Sequence, residues 1–505
     1  MKDIGTIAVD HLLAIDQGTS ATKCVLVDRG GRMVAKASVP VGERYPQAGW
    51  VEQDAEEIWA SVRSAVAQCL SQQQGSSVAA VGLSTQRESA LVWRRDDARA
   101  LTPLLSWQDQ RTVELRDQLA ADGGEALVQA RSGLPLDPMF SALKIRWLLD
   151  RIDADRRASR NGELRAGTID AWLLVKLGDD DAIEVGNASR TQLLNVRTAS
   201  WDDELLRLFG IPQQVLPQVA PSRAPRGNAG KLHPALEGVP VHAVMADSHA
   251  ALFAHGAYAS GAVKATMGTG SSVMGLTDDA TRVPPGLCLT VAWDAGQGPL
   301  LAFEGNIRAA GSTLRWAADL FGLDAESAAA QASTADAAGL CLVPAFNGLG
   351  APYWDPHAVG LISGLTLATN RAQLLAAALD SIAHQVADVI DAMDASVSGV
   401  QRLLVDGGPS RNAKLRCLLS SYIGRPVVHC TDPELSALGV AHMAGLGAGV
   451  WDMNALCDLP RAQQTTPVPA SSDEAGYAAT AARRTWAHAV ARARLATGNH
   501  TKGDK

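Results

Sequence analysis

Two short turns of the same make recur far apart in the chain, and they constrain its fold more than any other feature. His11-Leu-Leu-Ala-Ile15 leads into Asp16-Gln17-Gly18-Thr19-Ser20 and out through Lys23-Cys-Val-Leu-Val27-Asp28. In the second half, Val263 to Met267 leads into Gly268-Thr269-Gly270-Ser271-Ser272 and out through Val273 to Leu276. Each reads as strand, turn, strand, and such a turn offers backbone N–H groups and hydroxyls in a concave array suited to phosphate oxygens. A third site, Leu403-Leu-Val405 followed by Asp406-Gly407-Gly408-Pro409-Ser410-Arg411-Asn412, opens onto a predicted helix over Ala413 to Ile423. The G-x-x-x-x-G-K-[ST] of a Walker A loop and the G-x-G-x-x-G of a dinucleotide site are both absent. Taken singly, each turn is an ordinary hairpin, because Asp-x-Gly is common in plain turns. Together, the two hairpins and the glycine site before a helix describe a nucleotide held between two related domains.

The rest of the chain fits an α/β layered fold with a mixed sheet. Asp54 to Leu70 has helical spacing, with Ile58, Val62, Ala65, Val66 and Cys69 on one face, Asp54 as N-cap and Glu57 three residues on. A buried strand over Val78 to Leu83 follows. Between Val215 and Gly238, prolines and glycines interrupt any regular period and predict a long crossing loop. The next strand, Val239 to Met245, ends at Asp247. Beyond Thr485, Arg and Ala recur at helical spacing, and His500 to Lys505 should fray. At 505 residues the chain exceeds a single core, since domains run to roughly 150 residues.

Charge and composition exclude several functions. The net charge of -8 offers no broad cationic surface for a phosphodiester backbone, so no nucleic-acid partner is expected. Seven cysteines, odd in number and without a C-x-x-C pair, argue against a disulfide framework and a structural zinc site. The start lacks a signal peptide, and no run of about 18 uncharged apolar residues appears, so a soluble cytoplasmic protein without membrane insertion is expected.

Asp16-Gln17-Gly18-Thr19-Ser20, Ser84-Thr85-Gln86-Arg87-Glu88, Trp107-Gln108, Gly268-Thr269-Gly270 and Asp406-Gly407-Gly408 resemble the motifs of the FGGY carbohydrate kinases, most closely the glycerol kinases among them. Further matches are Gln47 to Glu52, Phe140-Ser141 with Lys144 and Trp147, Asn187-Ala188-Ser189-Arg190-Thr191, and the long stretch Val343 to Pro356. The resemblance runs from His11 to Trp451. It implies a duplicated actin-like and hexokinase-like (ribonuclease H-like) ATPase fold of two domains, with ATP and polyol in the cleft between them. The implied boundaries are 11–254 for the N-terminal domain, 255–451 for the C-terminal domain and 452–505 for a helical extension.

Carried over residue by residue, the resemblance places phosphate contacts on Thr19, Ser20 and Thr269, and a Mg²⁺-linked acid on Asp16. Adenine and ribose contacts fall on Gly311, Gly408 and Asn412. Lys23 stands where the glycerol kinases have Arg, and Arg315 where they have Gln; both replacements still serve an anion. Asp247 is the implied catalytic base, and its bland alternative is an N-cap for a helix starting near Ala250. Ser248 and His249 beside it invite a hydrolase reading, but adjacent residues point apart and no nucleophile elbow is present. Arg87 and Glu88 would present a cation and an acceptor to vicinal hydroxyls, or else form a surface ion pair; Trp107 would wall the carbon face, or else be core. In the substrate pocket Met139, Ser248 and Ser272 stand where glycerol kinases place Tyr, Gln and Phe, which implies a roomier cavity.

The function expected is ATP- and Mg²⁺-dependent phosphorylation of a terminal hydroxyl of a small polyol, giving sn-glycerol 3-phosphate if the substrate is glycerol. A tetritol or ketose kinase is the second enzyme reading, and an actin-like ATPase the non-enzyme rival. The resemblance also implies a homodimer or homotetramer. The Gly-rich loop that binds fructose 1,6-bisphosphate in some bacterial relatives maps near Gly227 to Gly238, where Lys231 is the one clear cation.

Overall fold

In the computed structural model, residues 11–495 are described apart from 74, 179–180, 282, 395–398 and 470–472; the predicted fraying of His500 to Lys505 lies outside the described residues. In chain order the elements that matter here begin with β1 (His11–Gln17), β2 (Ala21–Asp28), β3 (Met33–Pro40), α1 (Ala55–Ser71) and β4 (Val78–Thr85). Then come α2 (Ser141–Ile152), β5 (Arg223–Arg226), β6 (Val241–Ala246), α3 (Asp247–Ala254), β7 (Ala262–Met267), β8 (Ser271–Thr277) and β9 (Pro299–Ile307). They continue with α4 (Gly311–Leu320), α5 (Ala325–Thr334), α6 (Arg371–Asp394), β10 (Arg402–Asp406), α7 (Ala413–Ile423) and β11 (Val427–Cys430). The last are α8 (Leu435–Gly447), β12 (Gln463–Thr466) and α9 (Asp473–Leu495).

The chain divides into two compact units. The first holds everything up to Gly256 together with Leu289–Leu301 and Glu434–Pro460; the second holds Ala257–Cys288, Ala302–Pro433 and the chain from Arg461. The first unit is built on a six-stranded sheet in the order β5-β6-β4-β1-β2-β3. β1 is antiparallel to its hairpin mate β2 and parallel to the later strand β4. The second unit repeats this plan: β7 is antiparallel to β8 and parallel to β10, in a sheet running β9-β8-β7-β10-β11-β12. A strand buried on both faces needs an almost unbroken apolar run. Leu12 to Ile15 and Val25 to Val27 supply it, each at most 1% exposed.

Asp54 caps α1 as its sequence predicts, accepting from Glu56 N at 2.9 Å and Glu57 N at 3.2 Å, an arrangement worth about 1 kcal/mol. The buried face of α1 carries Ile58, Val62, Ala65, Val66 and Cys69 against β2 and β3. The expected crossing loop between Val215 and Gly238 is only partly irregular: β5 within it pairs antiparallel with β6 and forms the edge of the sheet. Short strands with prolines at their ends leave little periodicity to read. A second difference concerns α8, which the sequence order groups with the second half. It packs instead in the first unit, against α3 and β4. The contact is backbone to backbone, since a Cβ at Gly439 would lie 1.8 Å from the Ala250 carbonyl oxygen. Among the described residues no helix is long and apolar enough to cross a membrane.

Candidate active site

The first turn is a tight hairpin. Gly18 N donates to Ala21 O at 3.1 Å, and the β1–β2 register sets Asp16 directly across from Lys23. Asp16 is half-buried and accepts from Ser84 Oγ at 3.1 Å, while Lys23 Nζ pairs with Glu434 Oε2 at 2.8 Å. Burial, then the Asp247 carboxylate, push the Asp16 carboxyl up to about 7, against the pull of Lys23 and Ser84. Ser20 is exposed at the turn. Thr19 is held from both sides, its carbonyl by Gln53 Nε2 at 2.8 Å and its hydroxyl by Trp107 Nε1 at 3.0 Å.

β4 runs parallel to β1 and carries the chain past Gln86, whose amide binds Gln17, Gln53 and Ser89, into Arg87 and Glu88. Neither of these is on the surface: both are buried, so the surface ion pair is excluded. Glu88 has φ 61, a left-handed conformation costly for a residue with a Cβ and concentrated at functional sites. Arg87 Nε lies 3.8 Å from Glu88 Oε1 and 3.4 Å from Asp247 Oδ1. Trp107 ties the two segments together: its backbone N donates to Ser89 Oγ at 3.0 Å and its indole Nε1 to the Thr19 hydroxyl. Asp16, Thr19, Lys23, Arg87, Glu88, Trp107 and Asp247 are thereby joined by contacts within one unit.

Two buried cations in the family-like stretches hold this set. Arg190 is fully buried, donates from Nε to Glu88 Oε1 at 2.7 Å and lies 5.0 Å from the Phe140 ring centroid. Lys144 on α2 is equally buried and donates to three successive carbonyls: Pro138 at 2.7 Å, Met139 at 2.6 Å and Phe140 at 3.2 Å. Three ammonium protons thus meet three acceptors, and burial draws the group down to about 8. Ser141 Oγ ties the same segment to Glu88 O at 3.0 Å. Met139 itself is half-buried. Glu434, partner of Lys23, is the third contributor that sequence reading missed. Its place before α8, remote in sequence, gave no local signal.

Asp247 does not precede its helix: α3 begins with it, and Ala246 occupies the cap position. The predicted start near Ala250 is therefore three residues late. In the first turn, Asp247 Oδ1 accepts from Ser248 N at 2.6 Å, where the helix dipole favours negative charge. The side chain keeps 34% exposure beside the buried Arg87. His249 is fully buried while Ser248 is half-buried, so the two do not act as a nucleophile and its base.

In the second unit Gly268 N donates to Gly270 O at 2.8 Å, and Thr269 O accepts from the N–H groups of Ala310 and Ser312 at 2.9 and 3.1 Å. The turn therefore meets the start of α4, where a Cβ at Gly311 would stand 2.5 Å from Gly268 O and 3.1 Å from Pro409 Cγ. Thr269, Gly311 and the Gly408–Pro409 segment converge, and a Cβ at Gly408 would meet nothing within 4 Å. Arg315 is exposed one turn along α4. Asn412 caps α7 through Leu415 N at 3.2 Å and donates to Ser333 Oγ at 2.8 Å. Ser272, expected to line the substrate pocket, is 8% exposed, and its hydroxyl donates to the fully buried Glu304 at 2.8 Å. The long motif Val343 to Pro356 is a brace: Tyr353 Oη donates to Asp388 at 2.9 Å and Trp354 Nε1 to Gly286 O at 2.7 Å.

Known proteins match both halves of the chain. The N-terminal domain of the FGGY family of carbohydrate kinases matches residues 11–254, and the C-terminal domain matches 263–448. A glycerol kinase of Geobacter sp. strain M21 is 42% identical over 89% of this chain and 92% of its own. An apulose kinase of Pectobacterium atrosepticum is 39% identical over 96% of this chain and 98% of its own. Among solved structures, Plasmodium falciparum glycerol kinase with ADP superposes with a TM-score of 0.88 at 26% identity, covering 96% of this chain and 98% of that one. With the fold repeated in both units and family matches spanning most of its length, the chain belongs to the FGGY family of carbohydrate kinases.

Proposed function

We propose that the protein transfers the γ-phosphate of ATP to a terminal hydroxyl of a small polyol, with glycerol as the acceptor. The observation that carries this reading is the Asp247 carboxylate at 3.4 Å from Arg87, within a buried Arg87–Glu88 pair locked by Arg190. Vicinal hydroxyls taken out of water need donors and acceptors together, and this set offers both. Asp247 accepts the hydroxyl proton as its oxygen bonds to phosphorus and the bond to the ADP oxygen breaks. Thr19 and Lys23 of the first unit serve phosphate oxygens, and Thr269, Gly311 and Gly408 of the second serve the nucleotide. The glycerol kinase relatives support the choice of acceptor.

A divalent cation fits the site on chemical grounds. Asp16 is an oxygen donor held partly out of water near Asp247 and Glu434, and burial and these carboxylates raise it against the pull of Lys23. No cluster of three or more candidate ligands occurs among the described residues. Mg²⁺ is commonly held by one or two carboxylates plus substrate phosphates. When bound, Mg²⁺ would neutralise charge on the transferred phosphoryl group, with Asp16 holding it.

A pentulose is the second reading, and two observations favour it. The apulose kinase relative aligns over more of this chain than the Geobacter glycerol kinase does. Met139 also stands where the glycerol kinases place Tyr. ADP release measured over C3 to C6 polyols and ketoses separates the two, and a preference for a ketose over glycerol would overturn the first. Asp247→Asn should lower turnover by about two to four orders of magnitude while ATP still binds. A variant keeping more than about a tenth of wild-type turnover would remove Asp247 as the base. The cytoplasmic location and the homodimer or homotetramer are parts of the same proposal, the latter read by sedimentation.

A further inference from the structure

The second unit contains a cavity of about 510 Å³ walled by α6, α7, α9 and the segment Asp336 to Leu342. That volume lies within the roughly 300–1,000 Å³ of small-molecule sites. Asp380 projects from α6 into it. Its Oδ1 accepts from Tyr422 Oη at 2.7 Å, whereas Oδ2 accepts no hydrogen bond from a described residue. The nearest basic group to Oδ2 is His384 Nε2, 3.9 Å away.

His384 cannot supply the missing charge. Arg483 Nη1 lies 3.3 Å from its Nδ1, and a guanidinium only donates, so Nδ1 accepts and the ring proton sits on Nε2. Burial and Arg483 keep that ring neutral, at about 3. The imidazole is stacked between Tyr422 at 4.3 Å and Trp486 at 5.0 Å, with interplanar angles of 9° and 8°. Lys414 also faces the cavity, but its Nζ donates to Ala332 O and Ala335 O at the end of α5. α9 lines the cavity with Ala478, Ala481 and Ala482, the first two of them exposed. A half-satisfied carboxylate thus faces a chamber lined by aromatic, aliphatic and a few hydroxyl side chains, with Lys414 acting on it through space and no cation hydrogen-bonded to it.

We propose that this cavity binds a small organic ammonium ion, its ammonium group on Asp380 Oδ2 and its carbon chain against the alanine face of α9. An anion would meet Asp380 and Asp336, and a neutral alcohol would leave the carboxylate without its charge. Neither the proposed phosphoryl transfer nor the family match assigns a ligand here.

Titration calorimetry on the full chain at pH 8, with pentylamine, pentanoate and pentanol as probes, tests this. Pentylamine should bind, and pentanoate and pentanol should bind at least about tenfold more weakly, the share of a charge-assisted hydrogen bond. Asp380→Asn should weaken pentylamine by about tenfold or more. Ala481→Leu should abolish binding by filling the chamber while leaving the Asp380 carboxylate in place, so one variant remains informative if the other fails to fold. No binding of pentylamine at millimolar concentration, equal binding of pentanol or pentanoate, or undiminished binding to either folded variant would overturn the proposal.

Discussion

Gly439→Ala tests whether α8 positions Asp247, the proposed base. In an open helix this change stabilises by about 1 kcal/mol, because glycine is the poorer helix former. Here the added Cβ would stand 1.8 Å from Ala250 O and 2.5 Å from Ala250 C, both backbone atoms with no rotamer to turn. Ordinary contact begins near 3.4 Å, so α3 and α8 must separate by about 1.5 Å. Overpacking of this kind costs about 1–3 kcal/mol, which exceeds the propensity gain and should lower the melting temperature by several degrees. The functional cost should be larger than the thermal one. Asp247 is the first residue of α3, and a 1 Å misplacement of a reacting group can cost about 10²-fold in rate. The assay is steady-state ADP release below the melting transition, beside Gly447→Ala as control on the same helix, where the nearest atoms are 3.1 Å away. If Gly439→Ala keeps turnover within about threefold of wild type while its melting temperature falls, the α3–α8 contact stabilises the unit without positioning Asp247, and the reasoning fails.

Lys144→Met keeps the length of the side chain but removes all three donors to Pro138, Met139 and Phe140; the polyol KM should rise about tenfold with the ATP KM little changed, and equal effects on both would refute the placing of this segment at the acceptor. Fructose 1,6-bisphosphate at millimolar concentration should leave the rate nearly unchanged, because the loop near Lys231 also carries Glu237, which accepts from Asn228 Nδ2 at 3.0 Å; strong inhibition at low ionic strength would reveal another basic site. His384 binds fewer protons folded than unfolded, so the stability it contributes is present above pH 6.5 and is lost as pH falls toward 3, by up to about 1.4 kcal/mol per unit. Melting curves of wild type and His384→Asn from neutral to acid pH should therefore diverge, and parallel curves would refute the assignment.

What the sequence makes legible is local. The hairpins around Gly18 and Gly268, the Asp54 cap and the helix over Ala413 to Ile423 are all specified by residues within a few positions of one another, and each appears where its pattern puts it. Contacts made across long separations leave no such trace. Glu434 reaches Lys23 only because Gly439 lets α8 lie against α3, and no periodicity in the second half announces that α8 belongs with the first unit. α3 starts earlier than its sequence pattern predicts for a related reason. Asp is a favoured N-cap, but here the Ala246 backbone takes that position and the Asp247 side chain bonds the next N–H, so the carboxylate enters the helix.

Buried charge explains the remaining gap, and it bears on substrate choice. Arg190 and Lys144 sit in stretches that match the family, yet a charged residue in a motif reads first as a ligand contact. Both turn inward. Arg190 donates its Nε to Glu88, and Lys144 donates its protons to three carbonyls. Their work is to hold Glu88 in its left-handed conformation and to fix the segment through Met139. The expected enlargement of the pocket rests on three positions, and they are not equivalent. Ser272 is engaged with Glu304 inside the second unit, and a larger side chain there would have to break a buried hydrogen bond. Met139, half-buried on a segment pinned by Lys144, has no such tie on its side chain. Of these two positions Met139 is the freer to change acceptor size, with Ser248 half-buried beside Asp247 as the third, and Met139→Tyr should move the preference between glycerol and a longer acceptor.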